Sequence, residues 1–111
     1  YPTETREELF PGELAKKIAE STAVVCYNDE VAFRLIPLLL SFGIRVPQDV
    51  AVVSFDNSSL SELSPIKITS LSYGAQNIGH VAAQTLLRRI EGQPAESQTL
   101  SWTLIEKESS K

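Results

Sequence analysis

The stretch VVCYNDEVAF, residues 24–33, decides how the chain is read. An apolar run stops at Asn28-Asp29-Glu30, and a second apolar pattern begins at once. Three polar side chains therefore stand together where a strand ends and a helix starts. They serve as a helix cap, as a pair of catalytic carboxylates, or as the rim of a binding site.

The pattern extends outward in both directions. TAVVCY (22–27) is short and continuously apolar, which predicts a strand buried on both faces of a parallel sheet. The helix predicted over 29–43 ends at Gly43, a common C-terminal stop. IRVPQD (44–49) reads as a turn, and VAVVSF (50–55) as a second apolar strand that also stops at a polar cluster, Asp56-Asn57-Ser58-Ser59. Leu60 and Leu63 fall on a short loop or single helical turn before Pro65, and KITSL (67–71) is a weaker third strand. A short helix is expected over 12–21, a long one over 75–92, and a last strand within 98–107. Residues 1–11 read as loop or linker. The alternation predicts an α/β fold with a mostly parallel sheet flanked by helices. In open sheets of this kind ligands bind beyond the carboxyl ends of the strands, where both polar clusters lie.

The chain has 111 residues and a formal net charge of −4, so it lacks the basic surplus of a nucleic-acid-binding unit. No apolar run approaches the length of a membrane span. The one cysteine, Cys26, sits inside a strand and fits an inert core thiol in a reducing compartment. The chain has no Met and begins Tyr1-Pro2-Thr3, as expected of a piece of a longer protein.

The helix over 29–43 is apolar on two sides. At about 100° per residue, Val31, Leu35, Leu38 and Phe42 share one stripe, widened by Ala32 and Leu39. Phe33, Ile36 and Leu40 form a second, which needs its own cover: another helix of the same domain, or a partner subunit. Pro37 sits inside this helix, where it removes a hydrogen bond and should kink it. The long helix is simpler, with Ile78, Ala82, Ala83, Leu86, Leu87 and Ile90 on one face and His80 on the opposite, solvated one.

Catalysis has little support. Asp29, Glu30 and Asp56 are potential acids and bases, but no nucleophile stands in a recognisable setting, and His80 is placed wrongly for a triad at this rim. No glycine-rich phosphate loop follows either strand, and no Cys/His cluster offers a metal site, so neither enzyme activity nor a cofactor is expected. Capping explains one polar residue at 28–30 but not the second cluster. A sugar site uses both: Asn donates and accepts, Asp accepts strongly, and Tyr27 or Tyr73 supplies an apolar face or a hydroxyl.

Taken together, TAVVCYNDEVAFRLIPLLLSFGIRVPQDVAVVSFDNSSL, SPIKITSL, IGHVAAQTLLRRIEG and LIEKESS resemble the LacI/GalR family of bacterial transcription regulators. The Asn28-Asp29 pair, the Val46-Pro47-x-Asp49-Val50 turn, the Phe55-Asp56-Asn57 stop and the Gly79…Ala83…Leu87 helix occur in the family's order. VVCYNDE is especially similar to arabinose-responsive repressors. The resemblance implies a periplasmic-binding-protein-like fold with two subdomains and a sugar in the cleft, of which this chain is the C-terminal part. Residues 1–71 would belong to the C-terminal subdomain. Residues 72–95 would be a crossover and a helix laid on the N-terminal subdomain, and 96–111 a returning strand and tail.

The resemblance also implies roles. Asn28 and Asp56 match positions that hydrogen-bond the sugar, and Tyr73 a crossover position that reaches it. Asp29 and Glu30 would mainly shape the turn. Ser54 stands in place of a usual glycine, and Lys107 in place of a common arginine. Phe33, Ile36, Pro37, Leu60 and Leu63 fall where relatives pack into dimers. The implied protein is a cytoplasmic homodimeric repressor that binds operator DNA through a head outside this chain and responds to L-arabinose or a related sugar. A periplasmic sugar-binding protein of a transport system is the rival from the same fold, and a sugar-processing enzyme the rival from another class.

Overall fold

The computed structural model describes residues 11–72 and 78–111. The elements run α1 (Pro11–Ala19), β1 (Ala23–Val25), α2 (Asp29–Ser41), β2 (Ala51–Phe55), α3 (Ser59–Leu63), β3 (Thr69–Ser72), α4 (Ile78–Ile90), β4 (Thr103–Ile105) and a 3₁₀ turn (Glu108–Ser110). Among the described residues the sheet has four strands in the order β1-β2-β3-β4. β1, β2 and β3 are parallel, and β4 joins β3 antiparallel, so the expected mostly parallel α/β sheet is present.

The register sorts the side chains into two faces. Val24 aligns with Val52, and Ser54 with Ser70. With Cys26 and Ile68 these point to the face that α1 and α2 cover, where Ala15, Ile18, Ala32, Leu35, Ile36, Leu39, Val46 and Val50 complete the core. The other face carries Val25, Val53, Phe55, Leu71 and Leu104. Val25 is 65% exposed and Leu104 57%. The expectation of strands buried on both faces therefore holds for one face only. A continuous apolar run shows that both sides of a strand suit burial, but among the described residues no helix lies over the second side.

The α2 helix begins on an extended Asn28, whose Oδ1 accepts from Val31 N–H at 3.0 Å. Its buried residues are Ala32, Leu35, Ile36 and Leu39 (besides Asp29), the i, i+3, i+4, i+7 spacing of one helical face. This corrects the place of Ile36. It was expected on the outward stripe, yet it is fully buried in the core. Phe33 is half-buried beside the core, while Pro37 and Leu40 face out. The helix closes with Ile44 N–H on Leu39 O and Gly43 N–H on Leu40 O. Gly43 has φ 76°, a conformation that a Cβ would strain. Gly92 (φ 75°) closes α4 the same way, with Gln93 N–H on Arg88 O.

The α4 helix has no buried residue. Ile78, Leu86, Leu87 and Ile90 are each more than half exposed, so the apolar face read from the sequence exists but stays uncovered among the described residues. The chain end is tied in more firmly. Ser109 Oγ donates to Val52 O and accepts from Thr69 N–H at 2.8 Å, closing the gap between β2 and β3 that their ladder leaves.

Candidate functional site

β1 and β2 run parallel and in register, so the residues that leave their carboxyl ends emerge side by side. Cys26 N–H on Val53 O, at 2.8 Å, carries the pairing one residue beyond β1. Tyr27 follows, 83% exposed, and then Asn28. Because Asn28 Oδ1 is committed to the helix cap, its amide Nδ2 is the group left to donate outward. From β2 the chain passes through Asp56 and Asn57, both at positive φ (100° and 50°). These values are strained for residues with a Cβ, and Asp and Asn bear them better than most. Asp56 is exposed.

The amides of this turn are all tied. Asp56 N–H donates to Leu71 O at 2.9 Å, Asn57 N–H to Ser70 Oγ at 2.8 Å, and Ser58 N–H to Asp29 Oδ2. Asn57 Oδ1 accepts from Lys107 Nζ at 2.9 Å. The same ammonium reaches Ser61 Oγ at 2.8 Å and Glu62 Oε1 at 2.8 Å, so the segment after β4 pins the turn after β2.

Asp29 is the feature that the sequence did not reveal. It was expected mainly to shape the strand-to-helix turn, with no expectation of burial, and it is 1% exposed. Its Oδ1 accepts from Ser54 Oγ and from Ser70 Oγ (2.7 Å), and its Oδ2 from Ser58 N–H and Ser58 Oγ (2.8 Å). Burial pushes the Asp29 carboxyl up, but the Ser54, Ser70 and Ser58 hydrogen bonds outweigh it and hold the group below its usual range. A signal existed: Ser54 and Ser70 are hydroxyls at inward strand positions, and buried hydroxyls need a partner.

A carboxyl held low in the folded state adds stability that is complete above its unfolded value of about 3.9 and is lost as pH falls through the folded value. The melting midpoint should therefore drop between about pH 5 and pH 3. Glu62, held low chiefly by Lys107, and Asp49, held low by Arg45, titrate in the same sense at the surface. The check is thus a comparison: Asp29→Asn should show a shallower acid slope than the parent, and equal slopes would contradict the account.

Tyr73 lies outside the described residues. Trp102, which the sequence did not single out, directly precedes β4, with its ring edge-on to Phe55, 5.6 Å between centroids and 83° between planes. It is 45% exposed, on the same sheet face as Phe55, just before Asp56. Cys26 is buried, and burial pushes its thiol up to about 11, so it stays an unreactive core group. Among the described residues no group of His, Cys, Asp and Glu is arranged to hold a metal ion. Nor is any helix among them long and apolar enough to cross a membrane.

Of the residues that the resemblance implies for pairing, Leu63 is 70% exposed and Leu60 half-buried on α3, which packs beside α2. Phe33, Pro37 and Leu40 on α2 complete the outward apolar set.

The family profile of the periplasmic binding protein-like domain matches residues 2–110. An arabinose metabolism transcriptional repressor from Halalkalibacterium halodurans is 40% identical over 70 residues, which are 63% of this chain and 19% of that protein. The HTH-type transcriptional repressor PurR of Vibrio vulnificus is 36% identical over 70 residues, 63% of this chain and 21% of that protein. A solved LacI family transcriptional regulator from Bifidobacterium animalis subsp. lactis superposes with a TM-score of 0.77 at 28% identity, covering 90% of this chain and 40% of that one. The chain thus matches about a fifth of the length of these curated relatives.

Proposed function

Because the chain belongs to the periplasmic binding protein-like domain family and has the effector-domain fold of LacI-family regulators, we propose that it is part of the sugar-sensing effector domain of a bacterial transcriptional repressor, and that its ligand is L-arabinose or a related sugar. The observation that carries this is the convergence of Asn28 and Asp56 at the carboxyl ends of adjacent parallel strands. One offers an amide donor, the other a strained, exposed carboxylate acceptor. That pairing suits neighbouring hydroxyls of a sugar ring, with the exposed Tyr27 next to Asn28 as a further contact. Tyr73 enters as a ligand contact on the resemblance alone. The likeness to the arabinose repressor supports the choice of pentose. The likeness to PurR over an equal length means that the choice needs its own measurement.

The uncovered surfaces support the division of the chain. The bare apolar face of α4 fits a helix that packs on a second subdomain, reached by the crossover within 72–95. Among the described residues, β1, β2 and β3 share a sheet with the returning strand β4. The outward set Phe33, Pro37, Leu40, Leu60 and Leu63 is the surface through which two copies pair. Sugar binding then favours one placement of the subdomains, and the dimer passes the change to operator-binding heads outside this chain, in the cytoplasm.

Calorimetric titration of the intact protein with L-arabinose, D-xylose, D-ribose and D-glucose tests the reading. The expected result is saturable binding of one pentose and weaker operator binding in its presence. Binding of no sugar would remove the proposal. Sugar binding by a protein secreted to the periplasm, with no effect on DNA, would favour a transport component.

A further inference from the structure

We propose that Asp29 is a positioning residue that sets the spacing between the two ligand contacts, Asn28 and Asp56. This rests on the sugar-site reading above. A carboxylate with no exposed partner is costly to bury, so its place needs a reason. Helix capping is not that reason, because Asn28 already caps α2. The Asp29 carboxylate turns instead toward β2, β3 and the turn that follows β2, and its hydrogen bonds go to Ser54, Ser70 and Ser58 there.

Those bonds end on the turn that carries Asp56. Ser58 N–H binds Asp29 directly, and Asn57 N–H binds Ser70 Oγ, whose hydroxyl donates to Asp29. Two of the three amides that hold the positive-φ turn thus depend on one side chain. Asp29 is also one peptide link from Asn28. It bridges the two strand ends through a short, buried path of charge-assisted bonds, the kind of support that fixes a site to within fractions of an ångström.

The test uses Asp29→Asn in the intact protein. This swap keeps size but sets an amide donor against hydroxyl and N–H donors. Ser70→Ala, which removes the support of Asn57 and one hydrogen bond to Asp29 but keeps the Asp29–Ser58 link, is the milder companion. Hydrogen exchange reads the turn without any ligand: the amides of Asn57 and Ser58 should lose at least about tenfold in protection while Val52 keeps its own. L-arabinose titration reads the site. Affinity should fall at least about tenfold in Asp29→Asn, but by less than about twofold when the same change is made in Asp56→Asn, since the two residues act as one unit.

Unchanged exchange at the turn would overturn the proposal. So would equal fold-losses in both backgrounds, which would make Asp29 a stabilising group and nothing more. If the parent protein binds none of the four sugars, the sugar reading is what fails, and the exchange result still decides the role of Asp29.

Discussion

Asp56→Ala is expected to weaken sugar binding by about tenfold to a hundredfold or more. The estimate follows from the chemistry of the group. A hydrogen bond to a charged partner is worth about 1.5–3 kcal/mol, and each 1.4 kcal/mol is a factor of ten. Among the described residues Asp56 spends none of its carboxylate on the fold. It is exposed, and only its backbone N–H is tied, to Leu71. The residue holds an unfavourable φ of 100° while its carboxylate stays available to a ligand. Alanine tolerates that backbone less well than aspartate, so a stability loss of about 1 kcal/mol should accompany the change. Asp56→Asn separates the two effects, because asparagine accepts positive φ and removes only the charge. Calorimetry on both variants, with a thermal melt beside each, is the measurement. Full affinity in Asp56→Ala would place the acceptor elsewhere on the rim, and full affinity in Asp56→Asn would mean that the charge adds nothing.

Much of this site was legible because it is made of strand ends. Two apolar runs that stop at polar clusters locate the carboxyl edge of a parallel sheet without any coordinates, and Asn28 carries the usual signal of a cap. Asp29 was not legible for a physical reason. An acidic residue in the first helical turn is equally at home in solvent, where it complements the helix dipole, so its identity says nothing of burial. Its partners Ser54, Ser58 and Ser70 lie 25 to 41 residues away in sequence and meet it only through strand register. Trp102 was hidden similarly: its contact with Phe55 reaches across β3, between strands that are far apart in the chain. The phase of α2 was hidden by excess. A helix apolar nearly all round has no single face to read, and Ile36 was placed outward when it points in.

That displacement gives the second large effect. Ile36→Ala should cost about 2–5 kcal/mol of stability, since a fully buried isoleucine loses both its transfer energy and the packing around the cavity left behind. Leu63 sets the contrast. It is 70% exposed, so Leu63→Glu should change the stability of the folded unit by no more than about 0.5 kcal/mol. If α2 and α3 pair two copies, the two-fold axis repeats each contact, and two new charges enter the apolar interface. Dimer dissociation should then rise by at least about thirtyfold, the loss of a central contact worth about 2 kcal/mol. Thermal melts and sedimentation of the intact protein separate the outcomes. Ile36→Ala should lower the melting midpoint with association following only as folding is lost, and Leu63→Glu should do the reverse. A Leu63→Glu protein that sediments unchanged would move the pairing surface away from α3. Ile36→Ala with an unchanged midpoint would mean that the core does not close over Ile36 as described.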